Sequence, residues 1–330
     1  MRAKRPSRNA GFTLVELLVA AALGALLAAI AAQFGARVTD SFARAAGRLA
    51  AAREARVALD QIGRDFSSAW FRDDGNVWLA ADLLADPALG LEDLWVSAPV
   101  NGRPLATVTA TADGPMEDSR FGGAGVWLRF FTTANVTDPT AFAAAPVAVG
   151  YRIVRRTRTN GTPAGYQLCR FATRPAGDGV ADGVLESGYN LTAPAYSEGS
   201  PAWRMTPGDP TESSFVLADD VVDFGVRCFV YDRGSPDGQR LIFPQASGAA
   251  SNALRASRRR VSAPITGEAD EFPDVIEVVV RILTPEGVQL ISAWEAGRLP
   301  QTPVAADDEW WRLVLAHSRV HVRRIVIHAA

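Results

Sequence analysis

Between Phe12 and Phe34 the chain runs 23 residues interrupted only by Thr13, Glu16 and Gln33, and Leu17 to Ala32 carries no charge or strongly polar group. As a helix rising roughly 1.5 Å per residue, such a run is about long enough to cross the hydrocarbon core of a bilayer. The preceding MRAKRPSRNAG holds Arg2, Lys4, Arg5 and Arg8 and no acid. A basic flank stays on the cytoplasmic side, so the rest of the chain is expected outside the cytoplasm. Whatever else the sequence folds into, it starts from one apolar helix.

A cleaved signal peptide is the rival reading, and AAIAAQFGA offers Ala-x-Ala choices for it. Yet the helical pattern does not stop there. Phe34, Val38, Phe42, Leu49, Val57, Leu59, Ile62 and Phe66 predict a broad apolar stripe, and no proline falls between Phe12 and Trp70. Gly35, Gly47 and Gly63 weaken or bend a helix without ending it. The spacing predicts one helix from about 12 to about 68, roughly 85 Å long. Residues 12–34 are its membrane part, and residues 35–70 are its amphipathic continuation onto a globular domain.

Glu16 is the anomaly. A carboxylate near the end of a membrane helix is costly and usually has a partner. A cut between Gly11 and Phe12 would create an amino terminus four residues before it, able to neutralise Glu16 of a neighbouring subunit. The alternative is a carboxylate that snorkels to the headgroups. Both readings stand.

These residues resemble a known family. A basic leader, then Gly11-Phe12-Thr13-Leu14-Val15-Glu16 and a long apolar helix, is similar to the N-terminal signal of type IV pilins and type II secretion pseudopilins. The resemblance implies a leader of residues 1–11, cleavage by a prepilin peptidase after Gly11, N-methylation of Phe12, and Glu16 as the assembly carboxylate. It implies other pilins or pseudopilins and an inner-membrane assembly platform as partners, and no cofactor. More loosely, residues 58–74, 219–234 and 272–287 and the terminal VHVRRIVI resemble J-type minor pseudopilins and PilW-like minor pilins. The proline often found in the membrane helix of major pilins is missing here. The Glu that K-type pseudopilins typically lack is present.

The expected fold is α+β and pilin-like, with the long helix packed on a mostly antiparallel sheet domain over residues 71–330. GVWLRFFTT alternates as a strand, and VAVGYRIVRR and GYQLCRFAT flank a turn at Asn160-Gly161. Residues 81–94 suggest a short helix. Residues 175–214 suggest a long surface loop, and residues 235–271 a polar stretch. DVIEVVVRIL and VQLISAWE bracket Thr284-Pro285-Glu286-Gly287 as a second hairpin, and Asp307 or Asp308 is a candidate cap for a helix to about His317. Seven or eight strands and one principal core are expected.

The net charge of −2 argues against a dedicated nucleic-acid binder. Arginines at 155, 156 and 158, at 255 and 258–260, and at 319, 323 and 324 lack interleaved aromatics, so they suit salt bridges to a partner's acids better than base stacking. Acidic clusters at 219, 220 and 223, at 268–274 and at 307–309 lack calcium-loop spacing and suggest a solvated face. The only histidines are His317, His321 and His328, with no HExxH, and neither GxSxG nor a Walker A sequence occurs. Neither an enzyme nor a metal site is expected. Cys169 and Cys228 are the only cysteines; in an exported domain they form either a disulfide or two buried thiols. Of the adjacent Trp310 and Trp311, one is expected in the core and the other at a contact.

Overall fold

The computed structural model describes residues 13–83, 119–121, 125–133, 146–157, 163–173, 188–196, 216–244, 253–257, 271–299 and 306–327. Helix α1 spans Leu14–Ser67 without a break. Cα packing divides the chain into two units, residues up to Leu49 and residues 50–330.

In the first unit α1 is apolar on all sides from Leu17 to Ala32, and no described residue covers it: Leu14, Leu17, Leu18, Leu23, Leu26, Leu27 and Ile30 are all exposed. In the second unit Ala51, Ala55, Ala58, Leu59, Ile62, Asp65 and Phe66 are buried, at the three- and four-residue spacing of one helix face. Alanines let the helix approach its sheet closely. The expected stripe was therefore only partly right. Leu59, Ile62 and Phe66 do face the core, whereas Phe34, Phe42, Leu49 and Val57 are exposed.

Ten strands follow among the described residues: β1 (Leu79–Leu83), β2 (Val126–Thr132), β3 (Val147–Thr157), β4 (Pro163–Thr173), β5 (Val216–Asp219), β6 (Val221–Tyr231), β7 (Gln239–Phe243), β8 (Ala253–Ala256), β9 (Val275–Leu283) and β10 (Ser318–Val326). They form a six-stranded sheet, β5-β4-β3-β2-β1-β8, and a four-stranded sheet, β10-β9-β6-β7. Every pairing is antiparallel. The second sheet packs on the first through β6, against β2, β3 and β4. The buried apolar residues make one cluster that joins both sheets, α1 and the C-terminal helices. Close approach shows at Gly225 of β6, where an added Cβ would lie 2.1 Å from the Phe121 ring.

Several expectations are corrected. Residues 81–83 belong to β1, not to a helix. Within the expected loop the described segment 188–196 buries Tyr189, Leu191 and Tyr196, the two tyrosines against Trp78 and Phe131, and residues 175–187 and 197–214 lie outside the described residues. The polar stretch contains β7 and β8. The second hairpin is instead a strand followed by helix α2, Pro285–Glu295. Thr284 caps α2 by accepting from the Gly287 N–H at 3.2 Å, Pro285 supplies the fixed φ of a first helical residue, and Glu286 sits in the positive first turn. Ile291 and Trp294 then bury at a three-residue step. Helix α3 runs Ala306–Ala316, so Asp307 and Asp308 lie inside its first turn rather than capping it. Both Trp310 and Trp311 are buried.

Candidate functional site

The N-terminal site begins at Thr13; Gly11 and Phe12 lie outside the described residues. The Thr13 hydroxyl accepts from the Glu16 N–H at 3.3 Å, and Glu16 is the acid of the first turn. Thr-Leu-Val-Glu thus has the pattern of a capping box, with the hydroxyl half of it made. Sequence reasoning missed this second role for Glu16, although Thr and Glu three residues apart before an apolar run is its signature. The carboxylate is exposed, at the start of a helix exposed along its whole first half.

The other end of α1 is fixed by a buried polar cluster. Asp65 is fully buried on the apolar face. Its Oδ2 accepts from the Tyr151 hydroxyl and from Arg170 Nε at 2.6 Å, and its Oδ1 accepts from Gln61 Nε2 at 3.0 Å. The Asp65 carbonyl also accepts from the Thr132 hydroxyl at 2.8 Å. Burial, with the Asp65 charge beside it, pushes the Tyr151 hydroxyl well above its ordinary value. Burial alone would lower Arg170, but the hydrogen bond to Asp65 and the negative neighbours outweigh it and hold the guanidinium up. Below the cluster Phe66 stacks on Phe130 at 4.0 Å. The chain leaving the helix is stitched to β2 by Trp70 N–H to Phe131 O and Thr133 N–H to Ser68 O, both 3.0 Å. Asp65 could have been sought in the sequence as a carboxylate three residues after Ile62 and seven after Ala58, on the face those residues share.

Higher on the helix, Glu54 Oε2 accepts from the Asp219 N–H at 3.3 Å. The next residue, Asp220, joins β5 of one sheet to β6 of the other with a left-handed φ of 58°. Burial, then the charges of Asp219 and Glu54, raise its carboxyl to about 6. Within this acidic cluster Asp219 is exposed and Asp220 half-buried, whereas Asp223 is buried and accepts from the Phe121 N–H at 3.3 Å. Among the described residues no group of three or more His, Cys, Asp or Glu is placed to hold a metal.

The basic groups mostly find partners within the chain. Arg255 Nη2 lies 2.6 Å from Asp82, Arg323 pairs with Asp60, and Arg324 Nη1 lies 3.1 Å from Glu277. The side chains of 155, 156, 158 and 258–260 lie outside the described residues, as does His328. No disulfide joins Cys169 and Cys228; both are buried thiols. Cys169 pairs with Arg152, on the face of β4 opposite to Arg170, and so points away from α1. Burial pushes the Cys228 thiol well above its usual range.

No curated protein and no solved structure matches the chain. Residues 6–32 match the family model described as the prokaryotic N-terminal methylation motif. Helix α1 is the one helix among the described residues long and apolar enough to cross a membrane. The chain carries a prepilin-type methylation motif on a single N-terminal apolar helix, the construction of a single-pass inner-membrane anchor.

Proposed function

We propose that the chain is a non-catalytic minor subunit of a pilus-like filament, a minor pilin or pseudopilin of the kind resembling J-type pseudopilins and PilW-like pilins. A prepilin peptidase cuts after Gly11, Phe12 is N-methylated, and Glu16 then meets the new amine of a neighbouring subunit. The helix from residue 12 to about 34 is held in the membrane until its apolar surface packs against other pilins. The large domain beyond residue 70 suits the tip better than a repetitive shaft. The carrying observation is the join of the methylation motif to a 54-residue helix that is apolar all round and exposed from Leu17 to Ala32. Phe34, Val38, Phe42 and Leu49 extend that surface within an arc of about 80°, at 100° per residue. Secretion, adhesion and DNA uptake are all served by such subunits, and the ligand of the outer domain would separate them.

The Thr13–Glu16 cap favours one rival, a monomeric membrane-anchored protein in which Glu16 only starts the helix. Glu16→Gln separates the two, because glutamine serves a capping box but carries no charge. In the filament reading the variant is inserted and processed normally, while its share in sheared filament fractions falls at least about tenfold, the loss of roughly 1.4 kcal/mol in assembly. Wild-type incorporation of Glu16→Gln would leave Glu16 as a helix cap alone.

A further inference from the structure

Strand β10 is the edge of the four-stranded sheet. It pairs with β9 over nine consecutive residues, Ser318↔Leu283 to Val326↔Val275, without a bulge or a proline, and among the described residues it has no strand on its other side. Hydrogen bonds at its ends fix which backbone groups face outward. The Leu283 N–H donates to Asp220 O at 2.9 Å, away from β10, so Ser318 and Leu283 are not a bonded pair. The Thr284 N–H to His317 O and Ile327 N–H to Asp274 O bonds, both 2.8 Å, mark the odd-numbered residues as those bonded toward β9. Antiparallel alternation then turns the N–H and C=O of Val320, Val322, Arg324 and Val326 to the open side.

Long, straight, unbulged edges template a further strand. The side chains along this one are partly apolar, with Val322 and Val326 exposed by 43% and 44%. Beside it a cleft of about 340 Å³ opens toward α1, lined by Ala52, Arg56 and Leu59 on one wall and His321, Val322 and Arg323 on the other. His321 Nε2 is buried there without a hydrogen-bond partner. Four arginines stand around the edge: Arg56 and Arg323 share Asp60, Arg324 pairs with Glu277 of β9 yet keeps about half of its side chain exposed, and Arg319 is exposed beside them. A second copy of β10 would set these arginines against their own kind. An acidic strand would meet Arg319 and Arg324 along the edge and Arg56 across the cleft.

We propose that the open edge of β10 docks an extended, acidic segment of a partner protein, which adds a fifth strand to the four-stranded sheet. Its backbone pairs with Val320, Val322, Arg324 and Val326, and its carboxylates meet the arginines. The proposal does not depend on the filament reading.

The test uses the full-length protein in a non-ionic detergent and two fluorescein-labelled nine-residue peptides. Both alternate valine with threonine, and three threonines are replaced by glutamate in one and by lysine in the other. Anisotropy should show saturable binding of the glutamate peptide, at least about tenfold tighter than the lysine peptide. Val322→Pro removes an outward donor and no bond to β9, so it should weaken binding about tenfold or more with an unchanged melting curve. Arg319→Glu should reduce or reverse the charge preference, and it decides the matter alone if the proline variant unfolds. Absent or charge-indifferent binding overturns the proposal, as does full binding by a folded Val322→Pro. Concentration-dependent dimers lost in Val322→Pro would also overturn it, giving the edge to a second copy.

Discussion

Asp65 carries most of the polar load at the helix–sheet junction. Its carboxylate is the shared acceptor of Tyr151, Arg170 and Gln61. Removing it leaves Arg170 nearly buried without its counter-charge, the arrangement that costs most. Asp65→Ala should destabilise the domain by about 3 kcal/mol or more, read as a lower urea midpoint, and Tyr151→Phe by about 1 kcal/mol. Asp220 acts in the opposite sense. Its folded carboxyl titrates near 6, above the ordinary 3.8, because burial and then the Asp219 and Glu54 charges oppose ionisation. Above pH 6 the folded state therefore bears a charge it resists. As pH falls from about 6 toward 3.8 the folded state takes up a proton that the unfolded chain does not, and this group's contribution to stability rises. Asparagine also tolerates the left-handed backbone there. Asp220→Asn should thus stabilise the protein by about 1 kcal/mol at pH 7.5, allowing for solvent screening of a half-exposed side chain. That gain should vanish near pH 4, and equal gains at both pH values would sink the assignment.

At the scale of elements, the helices show what a pattern of large apolar residues leaves unseen. Helix α1 was legible because its first half is unbroken and apolar, and nothing from Phe12 to Trp70 stops a helix. Which face of its second half is buried was not legible, because alanines make the close contact while Val57 points to solvent. The hairpin expected at Thr284-Pro285-Glu286-Gly287 failed for a related reason. A Pro-Gly-containing tetrapeptide between apolar runs reads as a turn, but Thr-Pro-Glu is equally a helix start, and Val288, Ile291 and Trp294 keep a three-residue step. Thr284→Ala should cost about 1 kcal/mol by loss of the cap, measured as a lower thermal midpoint; an unchanged midpoint would mean the α2 start is held by packing alone. β3 and β4 were read as the two runs flanking Asn160-Gly161 and pair antiparallel as expected, Ala148↔Thr173 to Thr157↔Pro163. β7 and β8 were hidden by polar neighbours and short length.

At the scale of the whole molecule the sequence was most informative where the chain meets the membrane. The basic N-terminal stretch, the Gly-Phe junction and the apolar run are local patterns, and residues 6–32 match the methylation-motif model. The capping role of Glu16 was hidden behind the assembly reading of the same residue. The Asp65 cluster was not foreseeable as a unit, since its members are 86 and 105 residues apart from Asp65 in sequence. The edge of β10 depends on sheet order, which strand patterns alone do not give.

The central claim is that the precursor is cut and its new first residue modified. The most direct measurement is the intact mass, with N-terminal fragmentation, of the membrane-extracted protein. The account predicts a chain beginning with N-methylated Phe12, and accumulation of uncut precursor in Gly11→Ala. A chain that keeps Met1 or Arg2, or that begins after the apolar run, would contradict it.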